Sequence, residues 1–292
     1  MLGAAWIAGR AVIPAIQQSR NSRVVALASR RPEAGRAMAA KHSIAHKYDS
    51  YERVLDDLEV DAVYIPLVNS LHREWSVRAL EAGKHVLCEK PLALNAAEAE
   101  SMATVAGREK RLLMEAFMYR FHPRVRAFRE ATPKPRFLHA AFGFSMQERD
   151  NYRGRQELGG GALLDVGCYC VDVARWFLGE PEEISANARQ DHGVDLTVSA
   201  VLGFPGDARA TVWGSFESGE RQLLVVIDEA GPRVLHQPFT AWRDPDDPYR
   251  LMVEAFAESV AAGSAPPRLL EESIAGLRVL DAIRSGTGLG GL

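Results

Sequence analysis

Short apolar runs alternate with helix-length mixed stretches through the first part of the chain. Val24–Ala28, Ala62–Ile65 and Val86–Cys88 are uninterrupted apolar runs, and Leu112–Ala116 is broken only by Glu115. A weaker run lies at Ala45–Tyr48. A strand with no polar alternation is covered on both faces, as in a parallel sheet sandwiched between helices. The stretches between the runs predict helices over Pro32–His42, over Tyr51–Leu58, up to Ala82, and after Asn95. At the last of these, Asn95 and Glu98 form an N-terminal capping pattern. An early helix carries Ile13 and Ile16. Proline is tolerated only in a first turn, so the main part of that helix is expected to begin near Pro14. Strands alternating with helices at this spacing predict a Rossmann-type, doubly wound parallel sheet.

After Phe117 the pattern changes. A short basic helix over His122–Glu130 leads into the loop Thr132–Pro135 and a strand at Phe137–Phe144. Gly159-Gly160-Gly161 precedes an amphipathic helix, Ala162–Leu178. Strand-like runs follow at Ile184–Arg189, Leu196–Phe204, Ala208–Phe216, Leu223–Asp228 and, more weakly, Val234–Gln237. Their alternation and glycine-containing connections suit an open, mainly antiparallel sheet. Helices near Tyr249–Ala261 and Leu270–Ile283 and a glycine-rich tail close the chain. The expected fold class is α/β, with a dinucleotide-type domain over 1–117 and a C-terminal α/β domain over 118–292.

Composition narrows the function classes. The chain has 292 residues, of which 47% are hydrophobic, so it can bury a sizeable core. A net charge of −3 invites neither nucleic acid nor an anionic membrane surface. Cys88, Cys168 and Cys170 match no metal or redox spacing, and an odd count argues against a disulfide framework; a reducing, cytoplasmic setting is expected. The apolar opening lacks a basic flank and is interrupted by Arg10, unlike a signal peptide.

Three stretches carry candidate chemistry. Gly3-Ala4-Ala5-Trp6-Ile7-Ala8 has the layout of a G-x-G-x-x-G loop with alanine in the second and third glycine places. Such a loop brings backbone N–H groups, here around Gly3, Ala5, Trp6 and Ile7, to a pyrophosphate at a helix N-terminus. The Val24–Ala28 run ends in Ser29-Arg30-Arg31 where an NAD site usually places a carboxylate. A hydroxyl followed by two guanidiniums suits a 2′-phosphate, hence NADP with NAD possible; the same arginines would also serve as a charged helix entry. Glu89-Lys90-Pro91 ends the Val86–Cys88 strand, and a lysine at the carboxyl end of a parallel strand points toward a ligand crevice or simply into solvent. On the Ala162–Leu178 helix, Asp165, Tyr169 and Asp172 share one face, either lining a pocket or solvated.

Taken in order, Gly3–Ala8, Pro66–His72, Glu89-Lys90-Pro91 and Gly159–Tyr169 resemble the Gfo/Idh/MocA oxidoreductase family. Met114–Pro123 and Gly160–Tyr169 look more like its dihydrodiol dehydrogenase and NADP-linked D-xylose dehydrogenase branch. The resemblance implies a nicotinamide cofactor in the first domain and a sugar, polyol or cyclic diol held between the domains. Leu67, Asn69, His72, Glu89 and Lys90 would contact the cofactor, and Lys90, Asp165 and Tyr169 would face the reacting carbon. Tyr169 would be the proton acceptor, assisted by the ammonium of Lys90, with Asp165 orienting Lys90 or a substrate hydroxyl. The resemblance further implies a homo-oligomer formed through the C-terminal sheet. A non-catalytic, NADP-responsive regulatory protein would use the same fold without needing this proton-transfer set. Two departures stand out. Almost nothing precedes Gly3, so the first strand is expected to be missing, leaving a gap of about 10 Å in the sheet and implying either a start upstream of Met1 or a poorly folding chain. The segment from Phe239 to Pro248 also looks short.

Overall fold

The computed structural model describes residues 1–148, 150–240 and 245–288, and the elements named below are those found among them. In chain order, the helices are α1 (Ile13–Gln18), α2 (Pro32–Lys41), α3 (Tyr51–Leu55), α4 (His72–Glu81), α5 (Ala96–Glu109), α6 (Pro123–Glu130), α7 (Cys168–Leu178), α8 (Pro248–Ala262) and α9 (Leu270–Gly286). The strands are β1 (Ala26–Ala28), β2 (His46–Tyr48), β3 (Ala62–Ile65), β4 (His85–Cys88), β5 (Leu113–Glu115), β6 (Phe137–Ser145), β7 (Glu183–Asp191), β8 (Val194–Gly203), β9 (Arg209–Ser215), β10 (Glu217–Asp228) and β11 (Gly231–His236). They form two compact units.

The first unit contains the chain up to Leu92, Ala97–His122, and a segment ending at Ser273 that carries α8. Its strands are short and fully parallel. β1 pairs with β2, and β3, β4 and β5 pair in sequence order. Val63, Ile65, Val86, Cys88, Leu113 and Met114 are buried, as the uninterrupted apolar runs require. The expected gap lies between the β1–β2 ribbon and β3. Met1–Gly3 spans it at one end: Leu2 N–H donates to the Tyr64 carbonyl (3.0 Å), and Gly3 N–H to the Ala28 carbonyl (2.8 Å).

The α-helical part of the early helix, α1, begins at Ile13 with Pro14 in its first turn, as expected. Ahead of it, helical backbone starts at Trp6 and includes a π-helical turn over Ala8–Val12. Pro14 has no N–H to give to a carbonyl one turn back, and the wider turn ahead of it accommodates that loss. The chain passes briefly into the second unit at Ala93–Ala96, crosses to it again after His122, and returns to the first unit with α8. Arg20 N–H donates to Glu254 Oε1 (3.2 Å) and Asn21 Nδ2 to the Glu254 carbonyl (2.9 Å), which tie the end of α1 to α8. These pairings join residues more than 230 positions apart, and hydrophobic periodicity carries no sign of them.

The second unit contains Ala93–Ala96, the chain from Pro123 to Thr240, and the chain from Ile274 onward. Six strands pair in the order β11-β10-β6-β9-β8-β7, antiparallel except for the parallel β6–β9 pair. The alternating burial of β6, β8 and β9 turns one face inward, and α7 packs on β6 and β9 there. Ala162, Val166, Leu196 and Phe216 form the centre of that core, with Phe142, Phe144 and Met146 against it. The segment that looked short in sequence includes positions 241–244, which lie outside the described residues.

Candidate active site

In the first unit, three loops leave the carboxyl ends of parallel strands β1, β3 and β4 on one end of the sheet. Gly3 has φ +109°, a conformation costly for any residue with a Cβ, and a Cβ there would stand 2.9 Å from Leu67 Cδ2. The glycine therefore lets the first loop pass against the loop after β3. Trp6 begins the helix with its ring exposed, and Arg10 lies over that ring. The first-turn amides of this helix have no partner one turn back within it, which is the arrangement that receives a pyrophosphate.

Ser29 follows β1 and is buried; its Oγ accepts from Arg31 N–H (3.1 Å). Arg31 Nη2 donates to the Ala4 carbonyl (3.3 Å), so a guanidinium sits against the glycine loop. Arg30 is exposed and lies over Tyr51, 6.0 Å from the ring centroid. The two arginines fit a group carrying phosphates at both its diphosphate and ribose ends. This is the environment a dinucleotide phosphate requires, and Gly3, Ala5, Trp6, Ile7, Ser29, Arg30 and Arg31 are the residues that would hold it.

Asn69 and His72 are buried beneath the loop after β3. His72 is fully enclosed: Nδ1 stands 2.8 Å from the Pro91 carbonyl and Nε2 3.0 Å from the Leu67 carbonyl. Two carbonyl acceptors favour a proton on both nitrogens, but burial outweighs them and, with the Lys90 ammonium nearby, lowers the imidazole pKa to about 4. A neutral ring donates to one carbonyl at a time. The His72 ring therefore ties the Leu67 loop to the Lys90–Pro91 loop and has no nitrogen left to offer a cofactor.

Glu89 is likewise engaged. Its carboxylate accepts from the buried Tyr64 hydroxyl and, at 3.2 Å, from Lys90 N–H. Burial, ahead of the Glu89 charge, pushes the Tyr64 phenol well above its usual range. Lys90 follows directly and is joined to Pro91 by a cis peptide bond. Leu92 N–H donates to Glu115 Oε1 (2.9 Å), and Glu115 Oε2 pairs with Arg268 (3.0 Å) on a wholly buried carboxylate. That pair anchors the far side of the Lys90 loop.

In the second unit, Asp165 and Tyr169 both lie in the helical run that enters α7, Asp165 within a π-helical turn over Leu163–Gly167. Asp165, Tyr169 and Asp172 are 6%, 7% and 3% exposed, so the face they share is not a solvated one. Tyr169 packs against the stacked pair Phe142 and Phe239, with ring centroids 5.4 and 5.3 Å away. Asp165 Oδ2 accepts from Arg153 Nε at 2.6 Å. The guanidinium of Arg153 also lies over Tyr152 and Phe144 and interacts electrostatically with Tyr169. The carboxylate thus has a cation of its own within the unit.

The triple glycine explains how Arg153 gets there. A Cβ on Gly160 would stand 2.4 Å from the Arg153 carbonyl, and one on Gly161 (φ +114°) 2.1 Å from Asp195 Oδ1. Without side chains, the loop carrying Arg153 and the start of the helix close on one another. Asp195 Oδ2 accepts from Leu163 N–H (2.6 Å), satisfying one of the orphan donors at that helix start. Burial raises its carboxyl pKa to about 6. Neither Arg153 nor Asp195 was visible as a candidate. Arg153 lies outside any periodic pattern and Asp195 at the start of β8, and only the glycines hinted that something approaches closely.

The sequence descriptions "Oxidoreductase family, NAD-binding Rossmann fold" and "GFO/IDH/MocA C-terminal domain" match residues 1–117 and 131–231. The chain belongs to the Gfo/Idh/MocA oxidoreductase family. It is 38% identical to D-xylose 1-dehydrogenase (NADP(+)) 2 of Haloferax volcanii, over 97% of this chain and 95% of that protein. It is 36% identical to trans-1,2-dihydrobenzene-1,2-diol dehydrogenase of Xenopus tropicalis, over 71% of this chain and 64% of that one. Among solved structures, a variant of KijD10, a 3-ketoreductase from Actinomadura kijaniata in complex with TDP-benzene and NADP, superposes with a TM-score of 0.91 at 30% identity, covering 98% of this chain and 96% of that one. The resemblance to the xylose and dihydrodiol dehydrogenase branch holds, and the chain is a nicotinamide-dependent oxidoreductase. No helix among the described residues is long and apolar enough to cross a membrane.

Proposed function

We propose that the protein transfers a hydride between NADP and a secondary alcohol carbon of a sugar, polyol or cyclic diol, in a reducing, cytoplasmic setting. The observation that carries this reading is the convergence of the Gly3–Ile7 loop, Ser29–Arg31, Leu67 and Lys90 at the carboxyl ends of β1, β3 and β4. The nicotinamide, when bound, supplies the hydride acceptor or donor. Tyr169 Oη takes the substrate's hydroxyl proton and returns it in the reverse direction. A free phenol has a pKa of about 10, so it needs positive charge nearby to act near neutrality. Arg153 supplies part of that field, and Lys90 is assigned the rest together with a hydrogen bond to the reacting oxygen. Asp165 keeps Arg153 in place.

Tyr169→Phe tests the assignment. Loss of a positioned general base is worth about 10²–10⁴ in rate, so kcat should fall by at least that lower figure while NADP binding is retained. A kcat within a few-fold of wild type removes Tyr169 from the role. We also propose that the chain forms a homo-oligomer through the outer face of the six-stranded sheet, where His139, Trp213 and Arg221 line a hollow of about 790 Å³ beside the exposed Val201. A monomer by sedimentation at micromolar concentration overturns that assembly.

A further inference from the structure

The guanidinium of Arg153 is engaged on one edge and over its plane, but not at its outer end. Nε donates to Asp165 Oδ2 (2.6 Å), and the guanidinium carbon lies over the rings of Tyr152 and Phe144, 4.7 and 5.6 Å from their centroids. The backbone is held as well. Arg153 N–H donates to Asn151 Oδ1 (3.3 Å), and the Arg153 carbonyl accepts from Gly161 N–H (2.9 Å). Nη1 and Nη2 make no hydrogen bond among the described residues, and neither is enclosed. The side chain is partly exposed while that of Asp165 is buried, so the outer end of the fork is the part that reaches open space. That end stands beside the phenol. Asp165 and Tyr169 are one helical turn apart, which sets their Cβ atoms about 5–6 Å from each other, and Tyr169 lies within the field of the Arg153 charge. A guanidinium fixed in this way offers N–H donors in a set plane to an oxygen that can accept from them.

We propose that Arg153 is a specificity residue, whose Nη1 and Nη2 hold the hydroxyl next to the reacting one, so that the substrate is a vicinal diol, in a sugar or in a carbocycle. The inference rests on the assignment of Tyr169 to the reacting hydroxyl. Charge favours a hydroxyl over a carboxylate at the fork. Arg153 and Asp165 together carry no net charge, and an anionic oxygen drawn to the guanidinium also meets the Asp165 carboxylate close by. A hydroxyl oxygen accepts from the fork and brings no charge of its own. The neighbouring surface is aromatic, with Tyr152 and Phe144 beneath the guanidinium and Phe142 and Phe239 behind Tyr169. That combination suits a small ring with an apolar C–H face and adjacent hydroxyls at its edge. Lysine does not replace arginine here, because its ammonium is taken up by Asp165 and has no rigid second end.

Two matched pairs serve as probes: trans-cyclohexane-1,2-diol against cyclohexanol, and D-xylose against 2-deoxy-D-xylose. In at least one pair the wild-type protein with NADP should favour the diol member by about 100-fold or more in kcat/KM. Arg153→Lys and Arg153→Met should each lower that ratio by about tenfold or more. The ratio is taken within each protein, so a smaller folded fraction or a common loss of rate cancels. A second measurement needs no turnover. With NADPH an alcohol has no hydride acceptor, and ligand-detected NMR of that dead-end complex should give a Kd for the diol about tenfold weaker in Arg153→Lys than in wild type. A wild-type ratio near one in both pairs, or a ratio unchanged in both variants, overturns the inference while leaving the hydride-transfer reading standing. If neither member of either pair is oxidised but the diol still binds in an Arg153-dependent way, the hydride-transfer reading falls and the diol site stands. Absence of both turnover and Arg153-dependent binding overturns both.

Discussion

Arg153 and Asp165 give the sharpest test of how the second unit prepares its tyrosine. The side chains are 30% and 9% exposed, with Nε and Oδ2 2.6 Å apart. Arg153→Met keeps most of the aliphatic packing on Tyr152 and Phe144 but takes the guanidinium away from the buried carboxylate. Removing one partner of a buried pair costs 3–5 kcal/mol. The partial exposure of Arg153 places this case at the low end, about 3 kcal/mol. Asp165→Asn removes the charge from the other side, and the double variant carries no stranded ion. The double variant should therefore recover about 2 kcal/mol relative to the sum of the two single changes. Urea unfolding followed by the fluorescence of Trp176 and Trp213, both in this unit, reads that coupling. Arg153→Met should also shift the rising, acid-side limb of the pH–rate profile for alcohol oxidation to higher pH, and Arg153→Lys should restore much of that shift, because charge rather than shape is at stake. A coupling below about 0.5 kcal/mol, with an unchanged pH–rate profile, refutes the account.

The other expectations concern the cofactor and pH. Arg30→Ala should weaken NADP by tenfold or more, about 1.5–3 kcal/mol for a lost charge-assisted bond, and leave NAD nearly unchanged; equal losses for both cofactors in titration calorimetry exclude Arg30 from a 2′-phosphate site. His72 and Asp195 shift stability in opposite directions. Between pH 6.5 and 4 the unfolded state protonates His72 while the native state does not, so this group removes about 3 kcal/mol as pH falls. Between pH 4 and 6 the native state keeps a proton on Asp195 that the unfolded state releases, so that group removes about 3 kcal/mol as pH rises. Relative to wild type, Asp195→Asn should become more stable as pH rises from 4 to 6, and His72→Gln should lose less stability as pH falls from 6.5 to 4. Stability curves parallel to wild type in both variants contradict these assignments.

The parallel sheet of the first unit was legible in the sequence because its strands are buried on both faces. Runs such as Val86-Leu87-Cys88 therefore carry no polar interruption and stand out against amphipathic helices. Gly3, Ser29–Arg31 and Lys90 stand out as candidates for a related reason. They sit at strand ends, where a change of residue type marks the point at which the chain turns toward a ligand. Asp165 and Tyr169 share a helix face by their spacing, but spacing alone does not say whether that face meets water or protein. What remained hidden depends on contacts distant in sequence. His72 looked like a ligand-facing residue until both its nitrogens were found facing backbone carbonyls of two different loops. Arg153 became the partner of Asp165 only because Gly160 and Gly161 let the two segments close. The return of α8 to the first unit rests on Glu254 meeting Arg20 and Asn21 across the whole length of the chain. Local periodicity reports which face of an element is buried. Which partner covers that face, and whether a charged group is thereby paired or stranded, is decided only when the chain folds.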